Sequence, residues 1–285
     1  MNKRVLIFTI VSCLFSWACW LPIVQTLETS PFESSGSVLL LFFLGAYGPT
    51  LTGILMSYFY YGREGLKALF KGALLIKVGF RWFLITLFTG PLIYAVAIGI
   101  YTAFGGAVGT VNYGLLPWIP VVFIVPIVFG PLAEELGWRG FALPLLDHKN
   151  KPVLASITIG FFWALWHTPL FWAKTGTAIS GFPVNIQLIG LFFLGVIASS
   201  FIYTWLFNNT RGSIFIAIML HLSMNASGTI TGMLFPDMDV EQRFLLYQYY
   251  VVIVCMLVLV GGLLLSKKSG IRKTQSHSEN QFVSN

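Results

Sequence analysis

Apolar residues dominate this chain in long unbroken stretches, and polar residues mark the gaps between them. A helix crossing a hydrocarbon core of ~30 Å needs about 20 apolar residues. Runs of that kind stand near 5–24, 38–60, 82–104, 118–146, 153–173, 186–207, 213–234 and 243–265. The pattern predicts an all-α polytopic membrane protein of about eight transmembrane helices, forming a single membrane-embedded domain over residues 1–265. The first run has the basic start and apolar middle of a signal peptide. It lacks a small-x-small cleavage site and is longer than a signal h-region, so it is expected to remain as a span.

Two stretches break the pattern. In "GREGLKALFKGALLIKVGFR", Leu66, Leu69, Phe70, Ala73 and Leu74 keep the helical period while Arg63, Lys67 and Lys71 recur on another face. This suits a helix lying on the inner leaflet; a cytoplasmic extension of the preceding span is the alternative. Residues 266–285 are polar, with a basic start and no apolar period, and are expected to form a disordered cytoplasmic tail that includes His277. Gly-Pro pairs at Gly48-Pro49, Gly90-Pro91 and Gly130-Pro131 lie inside apolar runs and are expected to kink their helices. Their flanks do not repeat, as an inverted-repeat transporter would require.

Composition agrees with the span reading: 56% of residues are hydrophobic, 9% are charged and the mean hydropathy is +0.81. The formal charge of +7 is chiefly a signal of topology. With the amino terminus cytoplasmic, all 17 Lys and Arg except Lys174 and Arg243 fall on the inner side or in segments entering it. Glu28, Glu33, Asp237, Asp239 and Glu241 fall in outer loops. Both termini are therefore expected in the cytoplasm, with the chain in the plasma membrane. Anionic lipid is the expected partner of the basic loops, and nucleic acid is not. Cys13, Cys19 and Cys255 lie within apolar runs and read as small buried hydrophobes.

Against this background a few polar residues stand at depth. They are Glu134, Glu135 and Arg139 in "PLAEELGWRG", His167 in "WALWH", and His221 and Asn225 in "HLSMN". A carboxylate or arginine at the bilayer centre costs about 2.5–3.5 kcal/mol on insertion scales, so such groups face a cavity or one another. At ~1.5 Å per residue, counted from Asp147, Lys151 and Arg211, Glu134 lies roughly 20 Å deep, His167 roughly 24 Å, His221 roughly 15 Å and Asn225 roughly 21 Å. Three predicted helices thus bring polar groups to similar levels.

Helical spacing sorts them further. Glu135 and Arg139 are four apart and can neutralise each other. Glu134 turns about 100° away and is left to face a cavity. His221 and Asn225 share a stripe, and Pro169 is expected to kink the helix beyond His167. A carboxylate placed in this way can serve as general base for water, with His167 beside it. His221 and Asn225 can donate to an oxyanion. The set Glu134, His167 and His221 could also ligate zinc, with one position left open. Singly, His221 and Asn225 could be interhelical hydrogen-bond groups, while His148 belongs to a solvated loop. A catalytically idle membrane scaffold or a proton-coupled transporter are the other classes this pattern admits.

"EELGWR" matches the EExxxR motif of the CPBP family, the CAAX proteases and bacteriocin-processing (Abi) proteins that include Rce1-like type II CaaX prenyl endopeptidases. "HLSMN" resembles its HxxxN/D motif, and His167 stands where the family's FxxxH histidine belongs, with Trp163 in place of the phenylalanine. An aromatic-for-aromatic exchange is expected to preserve packing there. The resemblance covers residues 118–230. It implies an intramembrane endopeptidase acting on a peptide or prenylated protein. It also implies that Glu134 with His167 activates water, that His221 and Asn225 form the oxyanion site, and that Glu135 and Arg139 support the motif. Metal-dependent and metal-free chemistry are both consistent with it. Bacterial relatives imply bacteriocin processing or immunity as further roles.

Overall fold

A computed structural model describes residues 2–27, 34–147, 151–174 and 179–282, with side chains excepted at 147 and beyond 262. Among the described residues the secondary structure is helical throughout. The helices are α1 (Lys3–Trp20), α2 (Gly36–Ala46), α3 (Gly48–Ala73), α4 (Phe80–Ala103), α5 (Ile119–Ile124), α6 (Pro131–Glu135), α7 (Leu143–Asp147), α8 (Pro152–Trp166), α9 (Ile186–Asn209), α10 (Ile214–Leu234) and α11 (Val240–Phe282).

Among the described residues six stretches are long and apolar enough to cross a membrane, and a seventh arises if α2 and α3, bent by 49° at their junction, form one span. Two expected spans therefore change character. The fifth, 153–173, is the 15-residue α8, too short to span alone, followed by a 3-10 turn over Thr168–Trp172. Pro169 thus helps end the helix instead of kinking it, because a proline has no N–H to continue the ladder. The fourth, 118–146, is broken into α5, a 3-10 turn, α6, a π-helical turn over Leu136–Ala142, and α7. Gly-Pro plays two parts here. Pro49 and Pro131 open α3 and α6 in their first turn, where a missing N–H costs nothing, whereas Pro91 lies inside α4.

The amphipathic stretch beyond residue 62 is hydrogen-bonded into α3, yet Gly62 adopts φ 62° and ψ −150° and separates it from the apolar half. Positive φ is cheap only for glycine. Leu69 is buried against Leu136, Ile214 and Ile218, while Arg63, Lys67 and Lys71 are exposed. The α11 backbone runs on as helix to Phe282, across the stretch where the sequence predicts a disordered tail. His277 lies among the side chains outside the described residues, as do His148, Glu28 and Glu33.

Close approach of backbones holds the motif segment in place. A Cβ on Gly137 would stand 2.2 Å from the Pro49 carbonyl oxygen, so α3 and the π-helical turn touch main chain to main chain. Membrane helices lack a hydrophobic drive towards each other and associate through such small-residue contacts. Indole hydrogen bonds fasten the end of α8. Trp166 Nε1 donates to Ser16 Oγ at 2.7 Å, Ser16 Oγ donates to the Gly45 carbonyl at 2.7 Å, and Trp17 Nε1 donates to the Trp166 carbonyl at 2.9 Å. Helices α1, α2 and α8 are thereby locked together one residue before His167.

Candidate active site

The two glutamates end α6 at the point where the backbone passes into a π-helical turn. Such turns are uncommon and gather at functional sites. Glu135 is completely buried, and its Oε1 accepts two hydrogen bonds: from Arg139 Nη1 at 2.9 Å and from His221 Nδ1 at 2.8 Å. The expected Glu135–Arg139 pair is therefore present, with His221 as a third member that helix spacing did not reveal. Arg139 is also fully buried and lies between two rings, its guanidinium carbon 4.1 Å from the Trp163 centroid and 3.9 Å from that of Tyr203. Its Nε and Nη2 find no hydrogen-bond partner among the described residues. Aromatic faces are the compensation, and cation–π contact strengthens as water is excluded.

Glu134 points elsewhere, as its 100° offset predicts. Its Oε2 accepts the Trp163 indole N–H at 2.6 Å, and its Oε1 lies 4.0 Å from His221 Nε2. Trp163 is thus more than a packing substitute for phenylalanine, since a phenyl ring has no N–H to offer the carboxylate. The tryptophan also orients His167, whose Nδ1 lies 2.8 Å from the Trp163 carbonyl oxygen. A carbonyl only accepts, so Nδ1 carries the proton and Nε2 is left as an acceptor. The same logic applied to His221 puts its proton on Nδ1, facing Glu135. Neutral His221 then offers only a lone pair at Nε2, and becomes a donor there only as the imidazolium.

Glu134, Trp163, His167, His221 and Asn225 all line one cavity of about 950 Å³, large enough for a short peptide segment. The residues that the sequence singles out therefore meet, from α6, α8 and α10. Asn225 stands beside Gly130, where a Cβ would come within 3.3 Å of its Nδ2. Tyr203 and Trp163 are the members that sequence reasoning missed in their polar roles. The Trp at the Phe position of the motif was the available signal. Among the described residues, no three His, Cys, Asp or Glu side chains are grouped so as to hold a metal ion. The zinc set of Glu134, His167 and His221 is not among such groups, although the bonds from Nδ1 of each ring to Glu135 and to the Trp163 carbonyl leave both Nε2 atoms with the lone pair a metal ligand needs.

An all-helical membrane bundle that buries carboxylates, an arginine and histidines around one cavity defines a class: polytopic membrane proteins with an ionisable site inside the bilayer. Within that class, residues 115–227 match the family model of type II CAAX prenyl endopeptidase, Rce1-like, and this segment holds every residue of the constellation. The chain is also 31% identical over 140 residues to CAAX prenyl protease 2 of Methanococcus maripaludis, an alignment covering 47% of this chain and 51% of that protein. The match thus spans about half the length of the relative.

Proposed function

We propose that this protein is an intramembrane endopeptidase of the plasma membrane, with Glu134 as the base that activates water. The observation carrying this reading is the division of labour between adjacent carboxylates. Glu135 is consumed by Arg139 and His221, whereas Glu134 has no cation at hydrogen-bond distance among the described residues and faces a peptide-sized cavity. The match to the Rce1-like family over the same segment supports the choice of peptide hydrolysis.

In the proposed reaction a water held between Glu134 and the acceptor Nε2 of His167 gives its proton to Glu134 as its oxygen attacks the peptide carbonyl carbon. The new oxyanion is met by the Asn225 amide and by His221 in its imidazolium form, supported by Glu135. Collapse breaks the C–N bond, and the proton held by Glu134 passes to the leaving amine. Arg139 keeps Glu135 in place and touches no reacting atom.

Mass spectrometry of a farnesylated CaaX peptide and its unprenylated counterpart, incubated with detergent-purified protein and with Glu134→Gln, tests the reading. Cleavage by the wild type that falls by about 10²–10⁴-fold in the variant is the expected result. Equal cleavage by both proteins would remove Glu134 from the mechanism. Failure of folded wild type to cut either peptide would remove CaaX peptides as substrates.

A further inference from the structure

The structure separates the two ends of the bundle by charge and places the mouth of the site at one of them. At the first end, Arg4 Nη1 donates to Tyr61 Oη at 2.8 Å, Asn2 Nδ2 donates to the Leu145 carbonyl at 3.3 Å, and Ser213 Oγ donates to the Leu75 carbonyl at 2.7 Å. Arg211 donates to the Lys77 carbonyl. These bonds gather the start of α1, the basic half of α3, the 74–79 turn, the end of α7 and the 210–213 turn into one basic rim. At the opposite end, the Thr110 N–H donates to Asp237 Oδ2 at 2.9 Å and the Asn112 N–H to the Leu234 carbonyl at 2.9 Å, joining the residues after α4 to the α10–α11 connection.

The cavity that holds Glu134 runs to this second end, where Lys174, Ser180, Gly181, Phe182, Met238 and Arg243 line it. At the basic rim there is a different and smaller cavity of about 480 Å³, lined by Gly72, Gly140 and Ile214 and containing none of the site residues. Between the two lies the sealed layer of Glu135, Arg139 and Tyr203, all nearly or completely inaccessible. Lys and Arg are retained on the cytoplasmic side of membrane proteins. The rim that carries them is therefore cytoplasmic, and the site mouth, with Asp237, Asp239 and Glu241 around it, is on the other face.

We infer that the site opens to the extracytoplasmic face, so that its substrate is a peptide segment presented from outside the cell and not a cytoplasmic carboxyl terminus. The substrate half of this inference rests on the peptidase reading; the direction of opening does not.

Cysteine accessibility in right-side-out and inverted membrane vesicles separates the two. Gly232 lines the cavity near its mouth, and a Cβ there meets nothing within 4 Å, so Gly232→Cys is expected to fold. Lys77→Cys reports the basic rim, and the unsubstituted chain gives the background from Cys13, Cys19 and Cys255. A membrane-impermeant maleimide is expected to label Gly232→Cys in right-side-out vesicles and Lys77→Cys only in inverted ones. Labelling of Gly232→Cys only in inverted vesicles, or in neither, would overturn the proposed opening. A water-soluble quenched peptide that the detergent-purified protein cuts, added outside right-side-out vesicles, is expected to be cut by wild type and spared by Glu134→Gln. Cleavage only in inverted vesicles would overturn the outward substrate. Correct labelling with no peptide cut in detergent would sink the peptidase reading and leave the direction of opening standing.

Discussion

Trp163 donates its indole N–H to Glu134 Oε2 at 2.6 Å while its ring covers Arg139 at 4.1 Å, so one side chain touches both halves of the paired-glutamate motif. One residue thereby positions the proposed base and covers the cation that fixes its neighbour. Phenylalanine at 163 keeps the ring and removes the N–H. Hydrogen bonds to charged groups contribute about 1.5–3 kcal/mol, so Trp163→Phe is expected to lower kcat by roughly 10–100-fold. Its melting temperature should fall less than that of Trp163→Ala, which also uncovers Arg139 and should lower both more strongly. Steady-state kinetics with a thermal scan checks this; an unchanged kcat in Trp163→Phe would show that the indole bond does not position Glu134.

Glu135 and Arg139 form a fully buried pair, and removal of one partner strands the other in a dry interior. Such losses cost about 3–5 kcal/mol. Arg139→Met should therefore unfold at markedly lower temperature than wild type. Glu135→Gln should be milder for stability, because the amide oxygen can still accept from Arg139 or His221, yet it should reduce turnover by removing the carboxylate that holds His221 through Nδ1. Thermal unfolding in detergent beside kcat for the two variants separates these effects.

Gly137→Ala tests the crossing of α3 and the π-helical turn. The added carbon would lie 2.2 Å from the Pro49 carbonyl oxygen, a backbone atom with no side-chain freedom to yield. Loss of folded protein on size-exclusion chromatography is expected. Gly99→Ala, where a Cβ meets nothing within 4 Å, should behave as wild type.

Asp237 gives a pH-dependent contact at the extramembrane end opposite the basic rim. The Thr110 backbone N–H donates to its carboxylate and holds its pKa below the usual carboxylate range. A depressed folded pKa means that the contact contributes fully above the unfolded value and is lost as pH falls through the folded one. Hydrogen exchange at residues 109–112 should stay slow at neutral pH and accelerate only below the ordinary range for aspartate. Asp237→Ala should show fast exchange at every pH.

With Glu134 as the base, and no three His, Cys, Asp or Glu side chains grouped to hold a metal among the described residues, peptide cleavage is expected to survive prolonged chelation and to gain nothing from added zinc. Loss of activity on chelation, restored by zinc alone, would contradict the site chemistry proposed above.

Much of this protein is legible in its sequence because the bilayer is a demanding solvent. Long apolar runs can only be buried or cross lipid, and charged groups within them must find partners or a cavity. Those constraints picked out Glu134, Glu135, Arg139, His167, His221 and Asn225 one helix at a time, and intrahelical spacing sufficed for the Glu135–Arg139 pair. Periodicity could not show that 153–173 stops being helix at Trp166, or that 118–146 changes between three helical types, since an apolar run fixes neither the helix type nor where the ladder ends. Contacts between helices were also beyond it. The bond from Trp163 to Glu134, the binding of His221 to Glu135 and the end of the bundle at which the cavity opens depend on how α6, α8, α9 and α10 cross. Those crossings are decided by backbone contacts such as that of Gly160 in α8, where a Cβ would stand 2.5 Å from the Ile197 Cα of α9. Residues 29 or 86 positions apart in the chain become hydrogen-bond partners only once that packing exists.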